Sequence, residues 1–176
     1  MKKVLLISVC AVVLIMNSSA QNNLKGEQGV SSVGLIGGYA IESDKAVVGV
    51  DYRYNVLNKL RLAPSVLYGV KKDYVDTWYL NADVNYLARV SENITLYPIG
   101  GLGLSVWTYR KNDKLPIIGI DPLAKTETHV RAGVNIGLGS EVRLTEDIIV
   151  GFEFRYNWTE RHYNQAMLLM RVAYYF

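Results

Sequence analysis

Eight ionisable side chains, Asp51, Arg53, Arg61, Asp83, Arg131, Glu153, Arg155 and Arg171, are the residues here with the most chemistry to offer. Asp51 and Arg53 stand two apart, as do Glu153 and Arg155, so in an extended chain each pair shares one face. Acids and guanidiniums gathered on a common face do one of two things. They line a selective pore, or they form a buried network in which each charge satisfies another. The two histidines invite a third reading, catalysis. Nucleophilic catalysis of that kind needs a serine held beside a histidine and an acid. His129 is followed by Val130 and Arg131, and His162 by Tyr163 and Asn164, with no serine at either spacing. Two histidines and a lone cysteine, Cys10, give no metal-ligand spacing either. No catalytic residue, metal or cofactor is assigned, and the charge set becomes the candidate site.

The elements that carry these charges all show a period of two. At about 30–41, Val33, Leu35, Gly37, Tyr39 and Ile41 share a face opposite Ser32, Gly34, Gly38 and Ala40. In the strand at 46–55, Ala46, Val48, Val50, Tyr52 and Tyr54 oppose Val47, Gly49, Asp51, Arg53 and Asn55. The third, at 60–70, sets Leu60, Leu62, Pro64, Val66, Tyr68 and Val70 against Arg61, Ala63, Ser65 and Gly69. Pro64 removes a ladder donor, which predicts a local bulge or an unpaired position. The fourth, at 77–90, has Trp78, Leu80, Ala82, Val84, Tyr86, Ala88 and Val90 on its apolar face. In the fifth, 94–109, the glycines at 100, 101 and 103 leave two face assignments open, because a bulge there would carry Trp107 and Tyr109 outward. Val130 to Leu138 opposes His129, Arg131, Asn135 and Glu141 in the sixth, and Ile148 to Trp158 opposes Gly151, Glu153, Arg155 and Asn157 in the seventh. The last strand ends at Phe176, with Ala166, Leu168, Met170, Val172 and Tyr174 on the same face. Arg171 lies on the other face and is expected to pair with Glu153, or with the partner of Arg155, on strand seven.

Eight such strands joined by alternating short and long connections predict an all-β chain: a transmembrane, eight-stranded, antiparallel up-and-down β-barrel. With the N-terminus in the periplasm, the connections at 42–45, 71–76, 110–127 and 159–163 lie outside the cell and the short ones inside. A soluble barrel would bury its apolar face and wet its polar one. Here each basic residue of the charged face would cost roughly 2 to 4 kcal/mol in mid-membrane, so that face must point inward. Aromatic residues should then form two girdles. Tyr39, Tyr68, Trp78, Tyr156 and Trp158 fall near the outer rim, and Tyr54, Tyr86, Tyr174 and Phe176 near the periplasmic rim.

Residues 1–20 read as an export signal: Lys2 and Lys3, an apolar run from Val4 to Met16, and the small residues Ser18, Ser19 and Ala20 before Gln21. The run is shorter than the about 20 residues of a membrane helix. Residues 21–176 then form the barrel domain, whose formal charge falls from +3 to +1 once the two lysines leave. That charge, with no clustered basic face, argues against a nucleic-acid partner. With Cys10 removed, disulfide and thiolate chemistry are excluded as well.

The signal, the eight amphipathic strands and the terminal Tyr174-Tyr175-Phe176 resemble the small outer-membrane β-barrel proteins of OmpA/OmpX type. The resemblance implies a Gram-negative outer membrane, surrounding lipid and lipopolysaccharide, and recognition of the last strand by the barrel-assembly machinery through Tyr174 and Phe176. Arg171 and Leu169 depart from that assembly signal, which often has glycine and a polar residue there. No peptidoglycan-binding domain follows Phe176, so the expectation is a barrel-only member. Some similar barrels act on lipid A, but the serine–histidine spacing that such an enzyme needs is missing. The long connection adds a candidate contact with a host or neighbouring surface protein: Leu115, Ile117, Ile118, Ile120 and Leu123 form an apolar patch beside Lys114. The expected function is a non-enzymatic barrel with a polar, charge-filled interior, serving envelope structure or surface interaction. A narrow solute channel and a lipid A-modifying enzyme are the alternatives.

Overall fold

The computed structural model describes residues 28–72, 75–110, 126–159 and 163–176. The export signal, His162 and the patch residues Lys114, Leu115, Ile117, Ile118, Ile120 and Leu123 lie outside the described residues. The strands are β1 (Ser31–Ala40), β2 (Lys45–Leu57), β3 (Leu60–Lys72), β4 (Val75–Tyr86), β5 (Ile94–Arg110), β6 (Thr126–Arg143), β7 (Ile148–Thr159) and β8 (Gln165–Tyr175). Each pairs antiparallel with its sequence neighbours. β1 also pairs with β8, from Ser32↔Tyr175 to Ala40↔Met167, and this closes the sheet into an eight-stranded barrel. Closure removes the open edge that a flat sheet of the same strands would leave to hydrocarbon or to other chains.

Alternation decides which face goes where. Leu35, Leu102 and Trp158 on the outer wall are 69, 68 and 65 % exposed, whereas the intervening side chains point into the barrel and are buried. A wall this apolar and this open is the one that lipid covers. The outer wall also carries a shallow groove of about 800 Å³ where small residues, Pro64, Ala82 and Ala132, lie between Val66, Leu80 and Leu104.

Three irregular places resolve in different ways. The β5–β6 ladder runs without a shift from Ile94↔Val142 to Arg110↔Thr126, so no bulge forms at Gly100 to Gly103 and Trp107 and Tyr109 stay on the inner face. The inward glycines instead make room: a Cβ on Gly101 would sit 2.7 Å from Asp83 Cα, and one on Gly103 2.6 Å from Asn157 Nδ2. Pro64 causes no bulge, since β3–β4 register passes straight through Pro64↔Ala82. Its missing donor leaves a gap on the other side, where the ladder steps from Asp51↔Ser65 to Tyr54↔Leu62. β4, finally, breaks at Leu87, whose N–H donates to Lys59 O at 2.8 Å. A two-residue bridge, Ala88–Arg89, resumes pairing with β5, and Ala88 is buried, not on the outer face where strict alternation would put it.

Candidate functional site

The inward residues change character along the barrel. Toward the short turns the interior is charged: Asp51, Arg53, Arg61, Glu141, Glu153 and Arg171 are all buried. Toward the long loops it is apolar, with Ile36, Val47, Leu67, Tyr79, Trp107, Met167 and Leu169 packed as one cluster. The expectation of a charge-filled interior therefore holds for one half only. Val47, Tyr79, Met167 and Leu169 do stand on the polar parity in the sequence, but period-two sorting assigns a face and is blind to depth along it.

The charged half is one connected network. Arg53 is its centre: Nε donates to Asp51 Oδ2 at 2.8 Å, Nη1 to Tyr97 Oη at 2.9 Å, and Nη2 to Glu153 Oε1. Tyr97 Oη donates in turn to Glu153 Oε1 at 2.9 Å. Arg61 grips Glu141 with both terminal nitrogens, each at 2.8 Å, the bidentate geometry that suits a guanidinium fork. Its Nε donates to Asn55 Oδ1 at 2.8 Å. Arg53 Nη1 lies 3.5 Å from Glu141 Oε2 and joins the two groups. Arg155 Nη2 lies 3.0 Å from Glu153 Oε2 and 3.2 Å from Asp83 Oδ2. A layer of amides, Asn81, Asn135 and Asn157, hydrogen-bonds above them, with Asn135 Nδ2 donating to Asp83 Oδ1 at 2.8 Å. Glycines admit the long side chains. A Cβ on Gly34 would come within 2.6 Å of Arg171 Nε, and one on Gly139 would strike the Tyr97 ring.

Seven of the eight charges singled out in the sequence thus meet in one network. Arg131 does not join them. It sits near the long-loop end, half-buried, with its guanidinium carbon 5.0 Å from the Tyr163 ring centroid. Arg171 does not take Glu153 as its partner. It reaches across the closing seam, Nε to Asp51 Oδ2 at 2.7 Å and Nη2 to Ser32 Oγ at 2.9 Å. Sequence reasoning passed over Glu141 and Tyr97 as members, although both stand on the inward parity. Tyr97 precedes the glycines of strand five, so its face is as plain as that of Glu141; what parity lacks for both is any sign of the partners across the lumen.

The aromatic residues assigned to rims lie on the outer wall. Tyr39, Trp78, Trp158, Tyr54, Tyr174 and Phe176 are exposed, and Tyr68, Tyr86 and Tyr156 half-buried. Tyr68 and Trp78 touch with ring centroids 4.9 Å apart, and Tyr174 stacks on Phe176 at 6.3 Å.

A closed eight-stranded barrel with an apolar outer wall and an ion-paired interior is the architecture of an outer-membrane protein, and the family model for the outer membrane protein beta-barrel domain matches residues 6–176. The chain belongs to that family. No curated protein matches it in sequence. Among solved structures, this outer-membrane barrel is similar to the N-terminal β-barrel domain of Pseudomonas aeruginosa OprF, at 17 % identity and a TM-score of 0.62 over 85 % of this chain and 98 % of that one. The attachment invasion locus protein Ail of Yersinia pestis is similar at 15 % identity and a TM-score of 0.59, over 85 % and 99 %. A major outer membrane protein from Thermus thermophilus is similar at 12 % identity and a TM-score of 0.66, over 84 % and 99 %. At such identities the likeness is one of fold.

What the interior of this outer-membrane barrel offers chemically is cohesion. Among the described residues every guanidinium of the network has a carboxylate within ion-pair distance, and all four are buried. His129 packs edge-on against Tyr109 at 5.7 Å and, among the described residues, bonds to no serine or carboxylate. The described residues also bring together no group of three histidine, cysteine or acidic side chains that would hold a metal.

Proposed function

We propose that this chain is a non-enzymatic, non-conducting barrel of the outer membrane. It reinforces the envelope and meets its surroundings through the long-loop end, which faces outside the cell. The dryness of the interior carries this reading. A pore wide enough for water would wet the side chains lining it, yet Arg53, Arg61 and Arg171 are each 2 % exposed, and Leu67, Met167 and Leu169 no more than 1 %. Two different layers thus stand in the path of a solute: an ion-paired one, and an apolar one that water and ions would enter only at a cost. An eight-stranded barrel is just wide enough for such side chains to fill it. Lipid and lipopolysaccharide surround the outer wall in this reading, the assembly machinery reads Tyr174 and Phe176, and the loop around Lys114 to Leu123 is the contact for a host or neighbouring surface protein.

Planar-bilayer recording of the purified full-length protein tests the plug. The expected record shows no stable current steps, and reproducible ion-selective steps would overturn it. Deleting residues 112–124 tests the loop: the barrel should still assemble, as judged by its heat-shifted gel mobility, while binding to intact host cells is lost. Unchanged binding would remove the loop from the proposal.

A further inference from the structure

The network is balanced within itself. Asp51, Glu141 and Glu153 place a carboxylate oxygen within 3.0 Å of each of Arg53, Arg61, Arg155 and Arg171. Arg131 is left over. Its Nε is buried without a hydrogen-bond partner, and among the described residues its guanidinium contacts no carboxylate, only the Tyr163 ring. A ring quadrupole attracts a cation but offers no acceptor lone pair, so Nε remains unmatched.

The surroundings of Arg131 share this bias. Tyr163 packs on Trp107 with centroids 5.5 Å apart, and Trp107 rests in turn on Tyr79 at 6.2 Å. His129 stands two residues before Arg131 on the same inner face of β6, paired in the ladder with Trp107. Lys45 Nζ lies 5.4 Å from the Trp107 ring while bonding to Val75 O and Thr77 Oγ1. The acids nearby among the described residues are engaged by other donors or remote. Glu42 accepts from the Ala166 N–H, Asp76 accepts from Tyr68 Oη at 3.3 Å, and Glu127 is four residues along β6, about 13 Å at a strand rise of about 3.3 Å per residue. Positive charge, hydroxyls and an imidazole therefore meet over an apolar floor, where the low dielectric strengthens any charge pairing.

We propose that Arg131 anchors an oxyanion site in the long-loop mouth of the barrel, taking the phosphate or carboxylate group of a small solute. The guanidinium edge supplies paired donors matched to two oxygens of such a group, the hydrogen-bonded hydroxyl pair of Tyr109 and Tyr163 leaves one O–H proton as a further donor, and Tyr163, itself packed on Trp107, holds the guanidinium in place. This site is built from residues at the barrel mouth and stands whether or not the 112–124 loop binds a partner.

Trp107 is the natural reporter. The three tryptophans are Trp78, Trp107 and Trp158, so a Trp78→Phe/Trp158→Phe chain leaves it alone. In that full-length protein in detergent, titration with sodium phosphate and, separately, sodium acetate is run against chloride at constant ionic strength. The expected result is a saturable change in emission with phosphate or acetate, weakened at least tenfold by Arg131→Gln. Arg131→Met, apolar and of similar length, provides a second charge-free barrel should Arg131→Gln not assemble. No saturable response to either anion, or a folded charge-free variant that titrates like its parent, would overturn the site.

Discussion

The bidentate pair between Arg61 and Glu141 gives the sharpest handle on how the interior is held. Its two partners are not equivalent. If Arg61 is replaced by Met, Glu141 keeps a second guanidinium, since Arg53 Nη1 lies 3.5 Å away. The loss is then chiefly two charge-assisted hydrogen bonds at 2.8 Å, roughly 1.5 to 3 kcal/mol each, part of which Glu141 recovers by closing on Arg53. If Glu141 is replaced by Leu, Arg61 retains the Asn55 Oδ1 acceptor at 2.8 Å and, among the described residues, no other carboxylate within ion-pair distance. An uncompensated buried charge of this kind costs about 3 to 5 kcal/mol. The double replacement Arg61→Met/Glu141→Leu removes both charges together and should fall within about 1 to 2 kcal/mol of the parent, because apolar packing substitutes for a buried pair at little net cost. Glu141→Leu is therefore rescued by a second substitution that is itself destabilising, a coupling well beyond the about 0.5 kcal/mol expected of independent sites. Urea unfolding in phospholipid vesicles, followed by tryptophan fluorescence and by the heat-shifted gel band, measures all four proteins. Additive losses in the double variant would refute this account of the network.

Two further outcomes follow from other parts of the barrel. Leu102 is 68 % exposed on the outer wall, and Leu102→Arg should cost roughly 2 to 4 kcal/mol in vesicles while Leu102→Phe stays near neutral; equal effects of the two would mean that lipid does not cover this position. Phe176→Asp should lower the amount of barrel reaching the outer membrane in cells much more than it lowers the urea midpoint of barrels refolded in vitro, and normal membrane levels would detach the terminal residue from assembly.

Much of the fold could be read from the sequence because lipid imposes one rule on every strand. A residue facing hydrocarbon must be apolar whatever lies beside it, so strands such as 46–55 and 148–158 declare their faces locally. The interior obeys no such rule. An inward position is acceptable when its neighbours across the lumen satisfy it, and those neighbours are distant in sequence: Arg53 and Glu153 are 100 residues apart, Arg61 and Glu141 80. Membership of the charge set was therefore legible for most of its residues, but partners were not. Adjacency in sequence pairs Arg171 with the acid on the neighbouring strand, whereas its carboxylate stands two strands away across the seam, and parity groups Arg131 with charges that lie well below it in the barrel. The glycines at 101 and 103 misled for a related reason. Their purpose, space for Asp83 and the asparagine layer, is visible only once the opposite wall is in place.

The same asymmetry between the two faces bears on how β1 finds β8. The outer faces of these strands, Val33, Leu35 and Tyr39 on one and Leu168, Met170, Val172 and Tyr174 on the other, would remain apolar after a slip of two residues, since the parity is unchanged. Lipid therefore does little to choose among such registers. The inner face chooses strongly. In the observed register Ile36 stands opposite Arg171, and the guanidinium reaches Asp51 and Ser32 across the seam while Asn55 Nδ2 donates to Tyr175 Oη at 3.1 Å. A two-residue slip in either direction shifts Arg171 by about 7 Å along the strand, away from Asp51 and, in one direction, into the apolar layer opposite Gly38 and near Val47. Closing this seam joins residues 120 to 139 apart in the chain, the longest loops in the barrel and so the ones with the greatest closure entropy to offset. The buried charge on β8, Arg171, thus does at the seam what the apolar wall cannot: it makes one register much better than its neighbours, at the step where a misaligned strand would otherwise close the barrel equally well.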